Sequence, residues 1–198
     1  MNLNLASLIK DAVDTLRDPR EGARKIMAYQ MERRQRWETL LLIAVLSAVF
    51  AYISISLSTD VGEAQLSDVA RMNPFVLTLS QIFVLVVMVF AIHLIGRMAG
   101  GKGSLDDAIL LVVWLQFILI CLQILQIIAA VVMPFVAVVI GLIGLFVVFR
   151  LLTVFVAELH GFRSTVSVFI GVLVVMIMLA TVMSYIFGAF GIDVMEVL

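Results

Sequence analysis

Beyond Glu38 the chain is apolar almost without interruption, and only four short polar stretches punctuate it before Leu198. A helix needs about 20 apolar residues to cross a hydrocarbon layer of about 30 Å, so the runs between punctuations count as spans. Five fit, at positions 40–57, 75–95, 108 to about 130, about 135 to 157, and 166–190. The third and fourth share one apolar stretch from Ala108 to Phe149, too long for an ordinary span. Pro134 is the residue in its middle that biases a chain to stop and restart, which predicts a tight turn around Val131 to Pro134. A long kinked helix with a re-entrant segment is the alternative that the same length allows.

Ahead of the spans the period changes. Leu5, Leu8, Ile9, Ala12, Val13 and Leu16 recur at three- and four-residue steps, an apolar stripe opposite Lys10, Asp11 and Asp14. Asp18-Pro19-Arg20-Glu21 then restarts a helix, with Asp18 as N-cap, Pro19 at the first helical position and Glu21 at capping-box spacing. Basic residues follow from Arg24 to Arg36 and end at Trp37, a side chain suited to the headgroup zone. The unbroken apolar region and small-residue cleavage site of a signal peptide are missing, so this segment reads as cytoplasmic helix. The expected fold class is all-α: a five-helix polytopic membrane bundle over 38–198, preceded by a short amphipathic and basic helical segment over 1–37.

Composition agrees with the spans. Hydrophobic residues are 64% and charged residues 14%, with a mean hydropathy of +1.20, against roughly 45–50% and about 25% in soluble domains. Charge then adds a direction, because Lys and Arg are enriched on cytoplasmic flanks. Lys10, Arg17, Arg20, Arg24, Lys25, Arg33, Arg34 and Arg36 precede the first span, Arg97 and Lys102 follow the second, and Arg150 and Arg163 flank the end of the fourth. Arg71 alone falls on the other side, with the acidic Asp193 and Glu196. Five spans therefore place the N-terminus in the cytoplasm and the C-terminus in the periplasm. The brevity of the soluble parts points to a bacterial inner membrane.

The second polar punctuation, Gly96-Arg97-Met98-Ala99-Gly100-Gly101-Lys102-Gly103-Ser104, is nearly a phosphate loop. The position after Lys102 must offer a magnesium-binding hydroxyl, however, and is Gly103; the loop also joins two membrane helices instead of a strand and a helix. Its glycines are expected to end one helix and turn the chain, with Ser104-x-x-Asp107 capping the next. Asn73-Pro74 has a similar role before the second span.

Ionisable groups near spans are the default candidates for function in a membrane protein. His93 and Arg97 stand one turn apart, Asp106 and Asp107 open the third span, and Arg150, Glu158 and His160 close the fourth. Arg150 lies sixteen residues beyond Pro134, roughly 24 Å along a helix, which leaves it about 6 Å short of the boundary. Two readings are open: a snorkelling or structurally paired arginine, or a headgroup or substrate pocket drawn from His93, Arg97, Arg150, Glu158 and His160. Gln116, Gln123 and Gln126 fall toward one face of the third span, as interhelical hydrogen bonds or as a polar path. Small residues at four-residue spacing, such as Ala44 and Ala48, Ala137 and Gly141, or Ala180, Ser184 and Gly188, permit close helix packing. Arg24, Lys25, Arg33, Arg34 and Arg36 are the candidates for contact with anionic headgroups, the other reading of that segment being a topogenic anchor packed on the bundle.

Catalytic chemistry finds little to stand on. Cys121 is alone and mid-span, the two histidines lack metal-ligand spacing, no Gly-x-Ser-x-Gly elbow occurs, and the spans contain no internal Asp pair. No enzyme, metal site or cofactor is expected, and a net charge of -1 argues against nucleic acid. The capped segment Asp18 to Lys25, the five spans, and the loop Gly96 to Ser104 leading into Leu105-Asp106-Asp107-Ala108 resemble a bacterial member of the Yip-one family, named for Ypt/Rab-interacting proteins. The resemblance spans roughly Asp18 to Phe190. It implies a five-span domain with a cytoplasmic N-terminus and, in eukaryotic members, membrane organisation with Rab GTPases and sibling proteins. It supplies no catalytic residues, and the long cytosolic domain of the eukaryotic members has no counterpart here. The expected function is a non-enzymatic membrane-organising or partner-binding scaffold, with membrane lipids and a homo-oligomer or membrane-protein partner. A small transporter, channel or lipid-moving protein is the alternative.

Overall fold

The computed structural model describes residues 4–57 and 74–189. Arg71, Asn73, Phe190, Asp193 and Glu196 lie outside the described residues. Seven α-helices are present among those described, and no strand. They are α1 (Leu5–Arg17), α2 (Pro19–Met27), α3 (Arg33–Leu57), α4 (Pro74–Met98), α5 (Leu105–Val132), α6 (Pro134–His160) and α7 (Thr165–Ala189). The last five are each long and apolar enough to cross a membrane, which makes the chain a polytopic helical membrane protein.

The local signals act where the residues place them. Asp18 accepts from the N–H groups of Arg20 and Glu21, with Pro19 at the first position of α2. Ser104 accepts from the Asp107 N–H at 3.1 Å and opens α5. The long apolar stretch divides at a single non-helical residue, Met133, after which Pro134 begins α6; two antiparallel helices form in place of the kinked alternative. α6 ends at Gly161, whose φ of 71° is left-handed, and the Phe162 N–H turns back to the Ala157 carbonyl. That closure needs glycine. α3 starts at Arg33, well before the apolar run, because arginine and glutamine are good helix formers and the hydrophobic ruler measures the span, not the helix. It runs unbroken through Trp37.

α5 is the central helix. Half of its most apolar window is buried, against 28% or less in the other four spans. α3, α4 and α6 pack around it, and α7 packs on the outer side of α6. Ile109, Val112 and Ile118 of α5, Leu151 of α6, Val89 of α4 and Leu40 of α3 are the largest enclosed side chains. Outward faces carry Leu42, Leu79, Phe146, Ile170 and Ile177, all exposed and apolar, as lipid-facing surfaces are. α1 and α2 form a hairpin across one end of the bundle, with α2 seated on α5 and α6.

Candidate functional site

The polar chemistry of the described residues gathers at the end of the bundle that the hairpin covers. The start of α3, the end of α4, the start of α5, the end of α6 and the start of α7 meet there. Arg33 grips Asp106 with two hydrogen bonds of 3.1 Å, tying the starts of α3 and α5. Asp106 and Asp107 also favour the positive N-terminal end of α5. Arg36 Nη1 lies 3.5 Å from Asp107. Arg24 holds Glu158 of α6 at 2.5 Å, Lys25 holds Asp11 of α1 at 2.6 Å, and Arg34 holds Glu38 at 2.6 Å. The five cations that the sequence offered to anionic headgroups are thus each paired with a carboxylate of the chain. The hydrogen bond that Arg24 donates to Glu158 raises its guanidinium above the ordinary value, and the one that Lys25 donates to Asp11 does the same to its ammonium.

Two further bonds dock the hairpin. The Trp114 indole N–H of α5 donates to Thr15 Oγ1 at 3.1 Å, and the same hydroxyl donates to the Asp11 carbonyl at 2.7 Å. Arg150 donates to the Leu16 carbonyl at 2.6 Å and to that of Arg17 at 3.5 Å, meeting the unsatisfied C-terminal carbonyls of α1. Arg150 is therefore a structural partner of the hairpin.

The near-phosphate loop has a different target. His160 is 3% exposed and fills the space where side chains of Gly96, Gly101 and Gly103 would begin. A Cβ on Gly96 would stand 2.2 Å from His160 Nε2, and one on Gly101 would stand 2.4 Å from Cδ2. The Lys102 N–H donates to the His160 carbonyl at 3.4 Å, and Nδ1 meets the Val156 carbonyl at 3.1 Å. The loop closes over an imidazole.

Of the five residues proposed as a polar pocket, the structure brings His160 to the α4 end that carries His93 and Arg97. It turns Glu158 toward α2 and Arg150 toward α1. The glutamines separate as well. Gln116 donates to Ser47 of α3, which also accepts from Gln81 of α4 at 3.2 Å, so three helices share one hydroxyl. Gln126 instead lies against Gly141 of α6, and Gln123 is half-buried beyond them. Ser47→Ala is expected to cost about 1–2 kcal/mol by orphaning two amides, and Gln116→Leu about 0.6 kcal/mol; reversible unfolding in mixed micelles measures both. Equal losses would mean that the hydroxyl is not shared. Nothing in the sequence marks Thr15, Trp114 and Gln81, since each is a lone polar group whose side-chain partner is 34 or more residues away. Cys121 is half-buried with no disulfide, and no three of His, Cys, Asp and Glu converge among the described residues.

Five apolar spans capped at one end by a docked amphipathic hairpin define a class of multi-pass helical membrane protein held together by interhelical polar fasteners. A family model described as the Yip1 domain matches residues 13–185, and the chain belongs to that family. Comparison with curated proteins and with solved structures finds no match.

Proposed function

We propose that the protein is a non-catalytic scaffold that organises other membrane proteins through its N-terminal hairpin. The hairpin lies on the cytoplasmic side of a bacterial inner membrane, and the chain ends toward the periplasm. The observation that carries this reading is the division of the α1 stripe. Ala12 and Thr15 are buried and Leu8 and Leu16 pack on the core, while Leu5, Ile9 and Val13 remain 64%, 47% and 43% exposed. A helix docked along half of its apolar stripe and open along the other half suits a second surface. Lys10 and Arg17 stand about 60° and 40° round the helix from Val13 and have no ion pair among the described residues. Orientation rests on the Lys and Arg excess at this end.

The polar groups inside the spans support scaffolding over a small transporter, channel or lipid-moving protein. Gln81 and Gln116 spend their amides on Ser47, and His160 is enclosed by the α4–α5 loop. The partner is a membrane protein, a second copy of this chain included. A photo-crosslinking residue at position 9, in native membranes, is expected to yield a discrete protein adduct. The same residue at position 14 should yield none, and Val13→Asp should abolish the first. Adducts to lipid alone from position 9, or solute flux in proteoliposomes that vanishes on Gln116→Leu in folded protein, would replace this reading with transport.

A further inference from the structure

α4 rests on α3 and α5, whereas α7 rests on α6. Between α4 and α7 the packing leaves a crevice of about 660 Å³, within the range of about 300–1,000 Å³ typical of ligand pockets. Its walls are apolar, including Val84 and Met88 of α4, Leu115 and Leu119 of α5, and Val172 and Met176 of α7. Polar side chains sit at two places. Arg163, Ser164 and Ser167 stand at the mouth, beside the start of α7, and Gln81 and Gln116 stand deep inside. Gln116 lies eleven residues into α5, roughly 16 Å from the covered end, which is close to the depth of one leaflet at about 15 Å.

A void of this size in an apolar wall forfeits contacts on every side, and an apolar cavity does not hold water. Something apolar fills it, and in a bilayer the abundant candidate is an acyl chain. Charge says which lipid. Arg24, Lys25, Arg33, Arg34 and Arg36 are each matched by a carboxylate, whereas Arg163, Arg97 and Lys102 have none among the described residues. No carboxylate lines the crevice. Arg20 of the hairpin reaches Thr165, two residues past Arg163, with a hydrogen bond of 3.3 Å, and brings a second cation to the same rim. We propose that the crevice between α4 and α7 is a binding site for one anionic glycerophospholipid, one of its acyl chains seated between the two helices and its phosphate held by Arg163 with the Ser164 hydroxyl, which accepts from the Ser167 hydroxyl at 3.0 Å and keeps its own proton to donate. The assignment does not depend on the scaffold reading.

Two substitutions test it without attacking the fold. Gly171 lines the crevice, and a Cβ there would meet nothing within 4 Å, so Gly171→Phe fills the site with little strain. Gly144 of α6 is equally open but does not line the crevice, so Gly144→Phe is the matched control. Arg163→Gln removes the charge from an exposed position. The full chain, released from nanodiscs of mixed phosphatidylglycerol and phosphatidylcholine into native mass spectrometry, is expected to keep one phosphatidylglycerol per chain. Gly144→Phe should keep it and Gly171→Phe should lose it. Arg163→Gln should lower the preference for phosphatidylglycerol about tenfold, the scale of one charged hydrogen bond. The site is overturned by a folded wild-type chain that retains no lipid, or by equal retention in Gly171→Phe. A dimer that Gly171→Phe dissociates would give the crevice to a second copy and also overturn it. An unchanged headgroup preference in Arg163→Gln overturns the role of the arginine.

Discussion

Gly96→Ala is expected to destabilise the bundle by about 3 kcal/mol, the upper part of the range for overpacking, although it adds one methyl group. The new Cβ would stand 2.2 Å from His160 Nε2 and 2.4 Å from Cε1, and the ring has nowhere to go. Nδ1 is held by the Val156 carbonyl, Phe162 stacks against the ring at 5.5 Å between centroids, and Gly101 and Gly103 close the other side. His160→Ala should itself cost about 2–4 kcal/mol, by opening a cavity under the loop. The pair combined should cost less than the sum, because the methyl then enters space that the imidazole has left. Unfolding titrations of the two single variants and the double variant measure that coupling. Strict additivity would show that loop and ring do not share the volume.

The same loop shows where reading from sequence stops. The glycines and Ser104 announce a helix end, a turn and a helix start, because those are local backbone demands. Nothing local says that the object beneath them is His160, some sixty residues further on. The five spans are legible for the same reason: each is a run long enough to cross a hydrocarbon layer, and Pro134 divides the longest because it cannot continue a helix hydrogen-bond ladder. Helix pairing is not local. Gln116 was visible as an amide in lipid that needed a partner, but Ser47 and Gln81 are single polar groups on helices without a repeating pattern. The depth of Arg150 allowed a snorkelling or a structurally paired side chain, and a pocket besides; its partners are a pair of carbonyls at the end of α1, which only the docked hairpin brings within reach. The basic segment is a milder case. Its charge was plain, yet the acids that match it come from α1, α3, α5 and α6.

Ala23→Glu is expected to release the hairpin while the five spans stay folded. Ala23 is wholly enclosed where α2 sits on the bundle, with Ile26 and Gly22 beside it, and a carboxylate there has no partner and no water. The effective penalty for such a charge is several kcal/mol. The chain can escape it by lifting α1 and α2, because the hairpin packs on one side of α5 and α6 and its release leaves the contacts among the five spans in place. Amides of residues 5–27 should then lose hydrogen-exchange protection, while those of α5 and α6 keep theirs. Trp114 should report the same event, since its indole loses Thr15 and becomes accessible to quenchers. Ala6→Glu, at an exposed position in the first turn of α1, should change neither signal. Loss of protection throughout the bundle would mean that the hairpin is part of one cooperative fold. Retained protection would mean that Ala23 is not enclosed. Selective release would also separate the two functional proposals, because crosslinking from position 9 depends on how the docked hairpin presents α1, whereas the crevice keeps its walls from α4, α5, α6 and α7 together with Arg163 and loses only Arg20 from its rim.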